Sequence, residues 1–290
     1  MAVQGSTSGQ LANASLEMII KARYTMEHEA PNLALVRKFT LKQGHDTMVI
    51  PKVGQMTFMS VEETQENTNE MDIGMTTASV TTSIVGGKVI ITDTLLDQNT
   101  QDIWQMVGKQ IGDGATRREE TDIIALYAAL NGGTTLGAAA AIFNVTNVMN
   151  CIAYAKANKF GSGLSVVMHP NAIMRLSKDL TTLGAARPIP SGFSEDRLRN
   201  FYTGIVLGGV AFFETGNIVP DTNNDVVGVL MAKDALGFLE SAAIRRAKVR
   251  DEGIGEGAWK LYVTHRYAAF ELDDMLGAPL TYNAAAPATS

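Results

Sequence analysis

The sequence predicts an α+β protein in which an N-terminal arm, an extended hairpin loop and a long spine helix frame a smaller inserted domain. Three observations carry that expectation. Residues 54–87 form an acidic, Thr-rich excursion between two strand-like runs, residues 99–131 follow with helical apolar spacing, and residues 138–239 alternate short helices and strands. An excursion that long without apolar periodicity has nothing to bury against its own subunit, so its partner is water or a neighbouring chain. The pattern points to assembly rather than catalysis.

Bulk properties set wide limits. The 290 residues supply ample chain for a core in one elaborate domain or two modest ones, without a disulfide or metal staple. Cys151, the single cysteine, lies in an apolar run with Val148, Met149, Ile152 and Tyr154, and reads as a buried thiol in a cytosolic folding environment. The opening residues lack the basic and apolar regions of a signal peptide, and no apolar run is long enough to span a bilayer, so neither export nor a membrane partner is expected. A net charge of −6 at pH 7 argues against a dedicated nucleic-acid binder, whose footprint is a basic face. The 14 methionines suit remodelled interfaces and ordinary core gaps equally.

Along the chain, Leu11, Ser15, Met18, Ile19, Ala22, Tyr24 and Met26 have rough helical spacing before Pro31, which predicts a helix ending near Glu29 within an arm over residues 1–35. Residues 33–41 and 47–53 read as extended pieces split by a turn at 42–46. In the excursion, Glu62, Glu63, Glu66, Glu70 and Asp72 supply five acids, with no base between Lys52 and Lys88. Residues 75–85 have the Thr and Val content of a strand, closed by Gly86 and Gly87. This reads as a two-stranded hairpin with an acidic tip, a solvated disordered loop being the alternative.

Asn99 can cap the spine helix, with Asp102 three residues on. Ile103, Val107, Ile111 and Ala115 make a stripe that Ile123, Ile124, Tyr127 and Leu130 continue, and Asn131-Gly132-Gly133 supplies a stop. A helix over 99–131 would extend about 50 Å, and Gly108, Gly112 and Gly114 permit a bend. Helices over 145–158, 170–180 and 194–202 then alternate with strands over 164–168, 205–214 and 226–231, making an α+β domain over 135–239. Residues 244–250 and 258–270 read as a hairpin, 276–282 as a closing strand and 284–290 as a tail. The peripheral part therefore comprises 36–53, 88–134 and 240–283.

Candidate chemistry is sparse. Gly253, Gly255 and Gly257 precede a strand rather than the helix that a phosphate loop requires, and read as a turn. His28, His45, His169 and His265 lack metal-ligand spacing and read as structural. Gly5-Ser-Thr-Ser-Gly9 has Thr at the nucleophile position with no preceding strand, and no Walker A sequence occurs. No catalytic, cofactor-binding or metal-binding constellation is predicted, and the chain is not expected to be an enzyme. Arg246, Lys248 and Arg250 share one face of a strand. They form a solvated edge, or they receive the acidic loop of a neighbouring subunit, a role open also to Arg117 and Arg118 on the spine. A small phosphate-facing patch is a third reading.

The stretches Val167-Met-His-Pro-Asn-Ala-Ile-Met-Arg-Leu176, Gly204-Ile-Val-Leu-Gly-Gly-Val-Ala-Phe-Phe-Glu-Thr-Gly-Asn-Ile-Val-Pro220 and Val229-Leu-Met-Ala-Lys-Asp-Ala-Leu-Gly-Phe238 add to the collinear order of arm, loop, spine, inserted axial domain and returning strands. In both respects the chain resembles the major capsid protein of tailed bacteriophages, with its Hong Kong 97-type fold. The resemblance implies self-assembly as pentamers and hexamers into the icosahedral shell around a double-stranded DNA genome. It implies a virion location after assembly in the host cytoplasm, no cofactor, non-specific proximity to packaged DNA, and a portal and decoration proteins as partners. The arm begins almost at once, which implies a separate scaffold protein or none. Some relatives crosslink through a loop Lys; residues 53–87 contain none, so that crosslink is not expected. An encapsulin, a cellular compartment on the same fold, is the alternative, and a soluble hydrolase or transferase a distant one.

Overall fold

A computed structural model describes residues 31–42, 44–53, 60, 63, 75–98, 103–186 and 206–286. The helix expected before Glu29, the Asn99 cap and the helix expected over 194–202 lie outside the described residues.

Pro31 enters in helical geometry (φ −70°, ψ −26°), and α1 (Asn32–Leu35) follows as one helical turn. An extended run was expected from residue 33. The turn forms because the Ala34 and Val36 amides bond back to the carbonyls of Pro31 and Asn32, while the Asn32 side chain is buried. β1 (Arg37–Thr40) and β2 (Thr47–Val53) then lead into the excursion, and β3 (Met75–Thr81) and β4 (Ser83–Thr92) lead out. β2 and β3 pair antiparallel in register from Thr47↔Thr81 to Val53↔Met75, a two-stranded ribbon apart from both larger sheets. Thr82 separates β3 from β4, and both its amide and its hydroxyl bond to the Asp46 carbonyl.

From β4 the chain passes through α2 (Asp93–Gln98) into the spine helix α3 (Ile103–Ile124), 22 residues and about 33 Å long. The apolar stripe runs on to Leu130, yet the α-helix stops at Ile124. Leu126 bonds to Ile123, and 3-10 turns at Tyr127–Ala129 and Asn131–Gly133 complete the descent. The tighter winding is compatible with the pattern, because Tyr127 and Leu130 remain fully buried at three-residue spacing.

The inserted region runs β5 (Leu136–Ile142), α4 (Val145–Ala157), β6 (Ser165–Met168), α5 (Pro170–Ala186), β7 (Val206–Leu207), β8 (Val210–Glu214) and β9 (Asp225–Met231). Asn144 caps α4 by accepting from the Asn147 amide at 2.8 Å, and Pro170 opens α5. Val148, Cys151, Ile152 and Ala155 of α4 share one core with Ala172, Ile173 and Leu176 of α5 and with β6, whose four residues are all buried. The single strand expected over 205–214 is two, because Gly208 and Gly209 both take positive φ and make a tight hairpin turn between β7 and β8. β5 was not expected. Its Ala-rich sequence has weak strand preference, and tertiary pairing decides the matter.

Beyond the inserted region, β10 (Leu236–Asp251) and β11 (Ala258–Glu271) make the expected long hairpin, and β12 (Gly277–Asn283) closes the chain. One sheet has the order β1-β10-β11-β4; the other is β5-β12-β9-β6-β8-β7. The closing strand was expected with the peripheral part, whereas β12 pairs with β9 and β5 and belongs to the inserted region's sheet. β5 approaches β12 through Gly137, which has φ +87° and where an added Cβ would lie 2.6 Å from the Tyr282 ring and 2.7 Å from the Thr281 carbonyl. Gly137→Ala is therefore expected to cost about 1–3 kcal/mol of stability, read by chemical denaturation.

Candidate assembly surface and spine anchor

The structure places the two halves of the expected charge pairing very differently. Of the five loop acids, Glu63 is described and exposed; Glu62, Glu66, Glu70 and Asp72 lie outside the described residues. At the ribbon's root the exposed face carries Val49 at 59% exposure, an apolar side chain with no cover from its own subunit among the described residues. The two-residue period puts Arg246, Lys248 and Arg250 on one face of β10, as expected. That face is already engaged at two positions. Lys248 Nζ sits 3.7 Å from the Trp104 ring centroid and 4.0 Å from that of Trp259, and the two indoles meet edge to face at 6.2 Å. Arg250 pairs with Asp93 at 3.0 Å and with Glu252, neighbours that raise its pKa further. Arg246 is exposed and has no partner among the described residues.

On the spine, Arg117 is exposed, and Arg118 pairs with Asp122 one turn on at 3.0 Å, the Asp122 charge being the main reason its pKa rises. The Tyr267 hydroxyl also donates to Asp122, at 2.7 Å. Lys248 therefore fastens the β10–β11 hairpin to the start of the spine and Arg250 fastens it to α2, while Arg118 helps fasten the spine's end to β11. These contacts within the subunit compete with any neighbour's acids.

The end of α3 carries two buried acids that went unnoticed in the sequence. Glu119 and Glu120 are 7% and 0% exposed. Glu119 Oε1 lies 2.8 Å from His265 Nδ1, a close charge contact out of line for a hydrogen bond, and His265 Nε2 lies 3.1 Å from Glu240 Oε1. Burial raises the Glu119 pKa against the pull of His265. Glu120 turns the other way and accepts from Asn32 Nδ2 at 2.7 Å. Burial raises its pKa to about 7, while bonds from Thr215 and Asn32 favour the charged form. The signal was present: Ile111, Ala115, Glu119 and Ile123 recur every four residues, so an acid stands where the apolar stripe demands a buried residue. His265, read as structural, is the bridge between that acid and Glu240.

Among the described residues, no three His, Cys, Asp or Glu side chains converge as metal ligands, and no helix is long and apolar enough to cross a membrane.

No protein-family model matches the sequence, and no curated protein matches it. Solved structures do. The chain is similar to the head structure of Helicobacter pylori bacteriophage KHP40 at 11% identity, covering 98% of each chain with a TM-score of 0.67. It is similar to the cyanophage Pam1 capsid at 13% identity, covering 92% of this chain and 95% of that one with a TM-score of 0.67. It is also similar to the holo-SrpI encapsulin complex from Synechococcus elongatus at 12% identity, covering 100% and 99% with a TM-score of 0.62. The chain has the Hong Kong 97-type capsid fold.

His265→Leu is expected to lower the unfolding free energy at neutral pH by about 1–3 kcal/mol, because Glu119 would stay buried without its partner. Adding Glu119→Gln should recover part of the loss in a double-mutant cycle; full additivity would place the cost in packing instead.

Proposed function

We propose that the chain is a major capsid protein, and that copies of it assemble as pentamers and hexamers into the icosahedral shell around the genome of a tailed double-stranded DNA phage. The observation that carries this reading is a shell fold matched over nearly the full length, with a separate two-stranded ribbon whose Val49 is exposed among the described residues. A fold alone does not fix function, but a two-stranded ribbon is marginal in water by itself, and a neighbouring copy supplies what it lacks. Each copy would offer a ribbon and a receptor, giving head-to-tail contacts that close by rotation. In this reading residues 1–35 are the arm, 54–87 the extended loop, and the six-stranded sheet with its helices the axial domain, to which β12 is added. A separate scaffold, a portal and decoration proteins are the corresponding partners, and no catalytic role is assigned.

The encapsulin likeness favours a second reading, a protein compartment without a genome. Purified particles separate the two. Closed shells in electron micrographs, with nucleic acid inside when produced with the phage's packaging genes, support the first; shells that enclose a cargo protein support the second. A homogeneous 31.0 kDa species under all salt and crowding conditions would sink both.

Deleting residues 61–72 should leave circular dichroism unchanged while particle yield falls, because their acidic sequence has no apolar periodicity with which to pack on the core. For the charge pairing, Arg246 is the exposed cation on the strand without a partner among the described residues, and Arg117 is the exposed cation to test beside it on the spine. Glu63→Lys with Glu66→Lys should reduce yield, and Arg246→Glu should restore part of it. If neither Arg246→Glu nor Arg117→Glu rescues, the acidic tip is simply solvated.

A further inference from the structure

The Asn32 side chain of α1 and the Glu120 carboxyl of α3 are both fully buried and joined by one hydrogen bond, Asn32 Nδ2 to Glu120 Oε1 at 2.7 Å. The remaining two oxygens, Asn32 Oδ1 and Glu120 Oε2, are buried without a hydrogen-bond partner among the described residues. An amide facing an ionised carboxylate must leave that pattern, because both atoms left over are acceptors. Two orphaned acceptors on one pair of planar groups are costly, and a single proton between them satisfies both.

We propose that Glu120 carries that proton and that its Oε2–H donates to Asn32 Oδ1, closing a cyclic amide–acid pair that locks the point where residues 1–30 join the body onto the spine. Ionising Glu120 opens the lock. Small rotations about the terminal torsions of the two side chains, which are soft, bring the oxygens together.

Burial favours the neutral acid and outweighs the opposing bonds from Thr215 and Asn32. The groups that face Glu120 are Asn32 from α1, Thr215 from the segment after β8 and Tyr127 from the turn after α3. None of these carries charge at neutral pH: burial, then the nearby Glu120, pushes the Tyr127 ionisation well up. Glu119, the adjacent acid, faces His265, whose other ring nitrogen meets Glu240. The Tyr127 hydroxyl is buried without a hydrogen-bond partner, so in this arrangement it donates to neither of the two orphaned oxygens.

The sign of the pH dependence follows. The folded-state value lies near 7, above the ordinary 4.5, so the folded chain holds a proton that the unfolded chain has released. The stabilisation is full below 4.5 and is lost as pH rises to about 7. In that window the unfolding constant gains a component of up to about tenfold per pH unit from this one group.

Infrared difference spectroscopy of the full chain, assembled or not, tests the lock directly. On the acid side of 7 the protein should show the carbonyl band of a neutral carboxylic acid, fading on the alkaline side. Glu120→Gln should remove it. That variant supplies an amide N–H in place of the acid O–H, so its unfolding constant should lack the tenfold component while remaining near the native value in acid. Absence of the band from the native protein, its survival in Glu120→Gln, or an unchanged pH dependence in that variant would overturn the proposal. Asn32→Ala gives a reading that leaves Glu120 in place: removing the acceptor should shift the band to higher frequency, and an unshifted band also overturns it.

Discussion

Two adjacent carboxylates buried at the end of the spine helix determine how the rest of the molecule is held together. A buried acid is expensive unless it is paired, hydrogen-bonded or protonated, so Glu119 and Glu120 each require a specific partner. The partners come from different elements: His265 of the four-stranded sheet for Glu119, and Asn32 at the base of the arm for Glu120. A slip of one residue along the helix would push a carboxylate into the apolar cluster around Ile123 and Tyr127. Packing alone tolerates small shifts; this pair fixes the register.

That register matters because α3 is the mechanical link between everything else. Upstream, β4 runs directly into α2 and the spine, so the ribbon of β2 and β3 is continuous through Thr82 with the strand that leads to the helix. At the near end, Lys248 between Trp104 and Trp259 ties the β10–β11 hairpin to the same helix, and Arg250 on Asp93 ties it to α2 just before. Downstream, Tyr127 and Leu130 seat the descending turns in the core of the six-stranded sheet. Force applied to the ribbon therefore reaches the four-stranded sheet through β4 and the six-stranded sheet through the helix that follows.

How much of this was legible in the sequence depended on what each residue had to satisfy. The β10–β11 hairpin, α4, β6 and the start of α5 were readable because their apolar periods, the Asn144 cap and Pro170 all act within a few residues. β5 was not, since Leu136–Ile142 is a strand only because β12, distant in sequence, pairs with it and Asp225 accepts from the Ala140 amide at 2.8 Å. β12 was found as a strand but placed with the wrong sheet, for pairing across a long connection leaves no local trace. At the candidate assembly surface the alternation correctly put Arg246, Lys248 and Arg250 on one face. Which cations were already occupied could not be read, because Trp104 and Asp93 reach them only through the fold.

The same occupancy bears on how copies recognise one another. Exposed ion pairs contribute only about 0–1 kcal/mol each and are screened beyond about 10 Å at 0.1 M salt, so a receptor needs either many such pairs or cations not already neutralised. Arg250 and Arg118 each have an acid of their own close by, and a neighbour's Glu would have to displace it for little net gain. Arg246 presents its charge on the same face without such competition among the described residues. In the proposed shell, selectivity between copies is then better served by uncharged contacts such as the exposed Val49 of the ribbon, with charge setting orientation and encounter rather than strength. If copies of the chain assemble as proposed, the shell gains its stability from repetition: a contact too weak to hold two subunits becomes decisive when every subunit makes it on both sides.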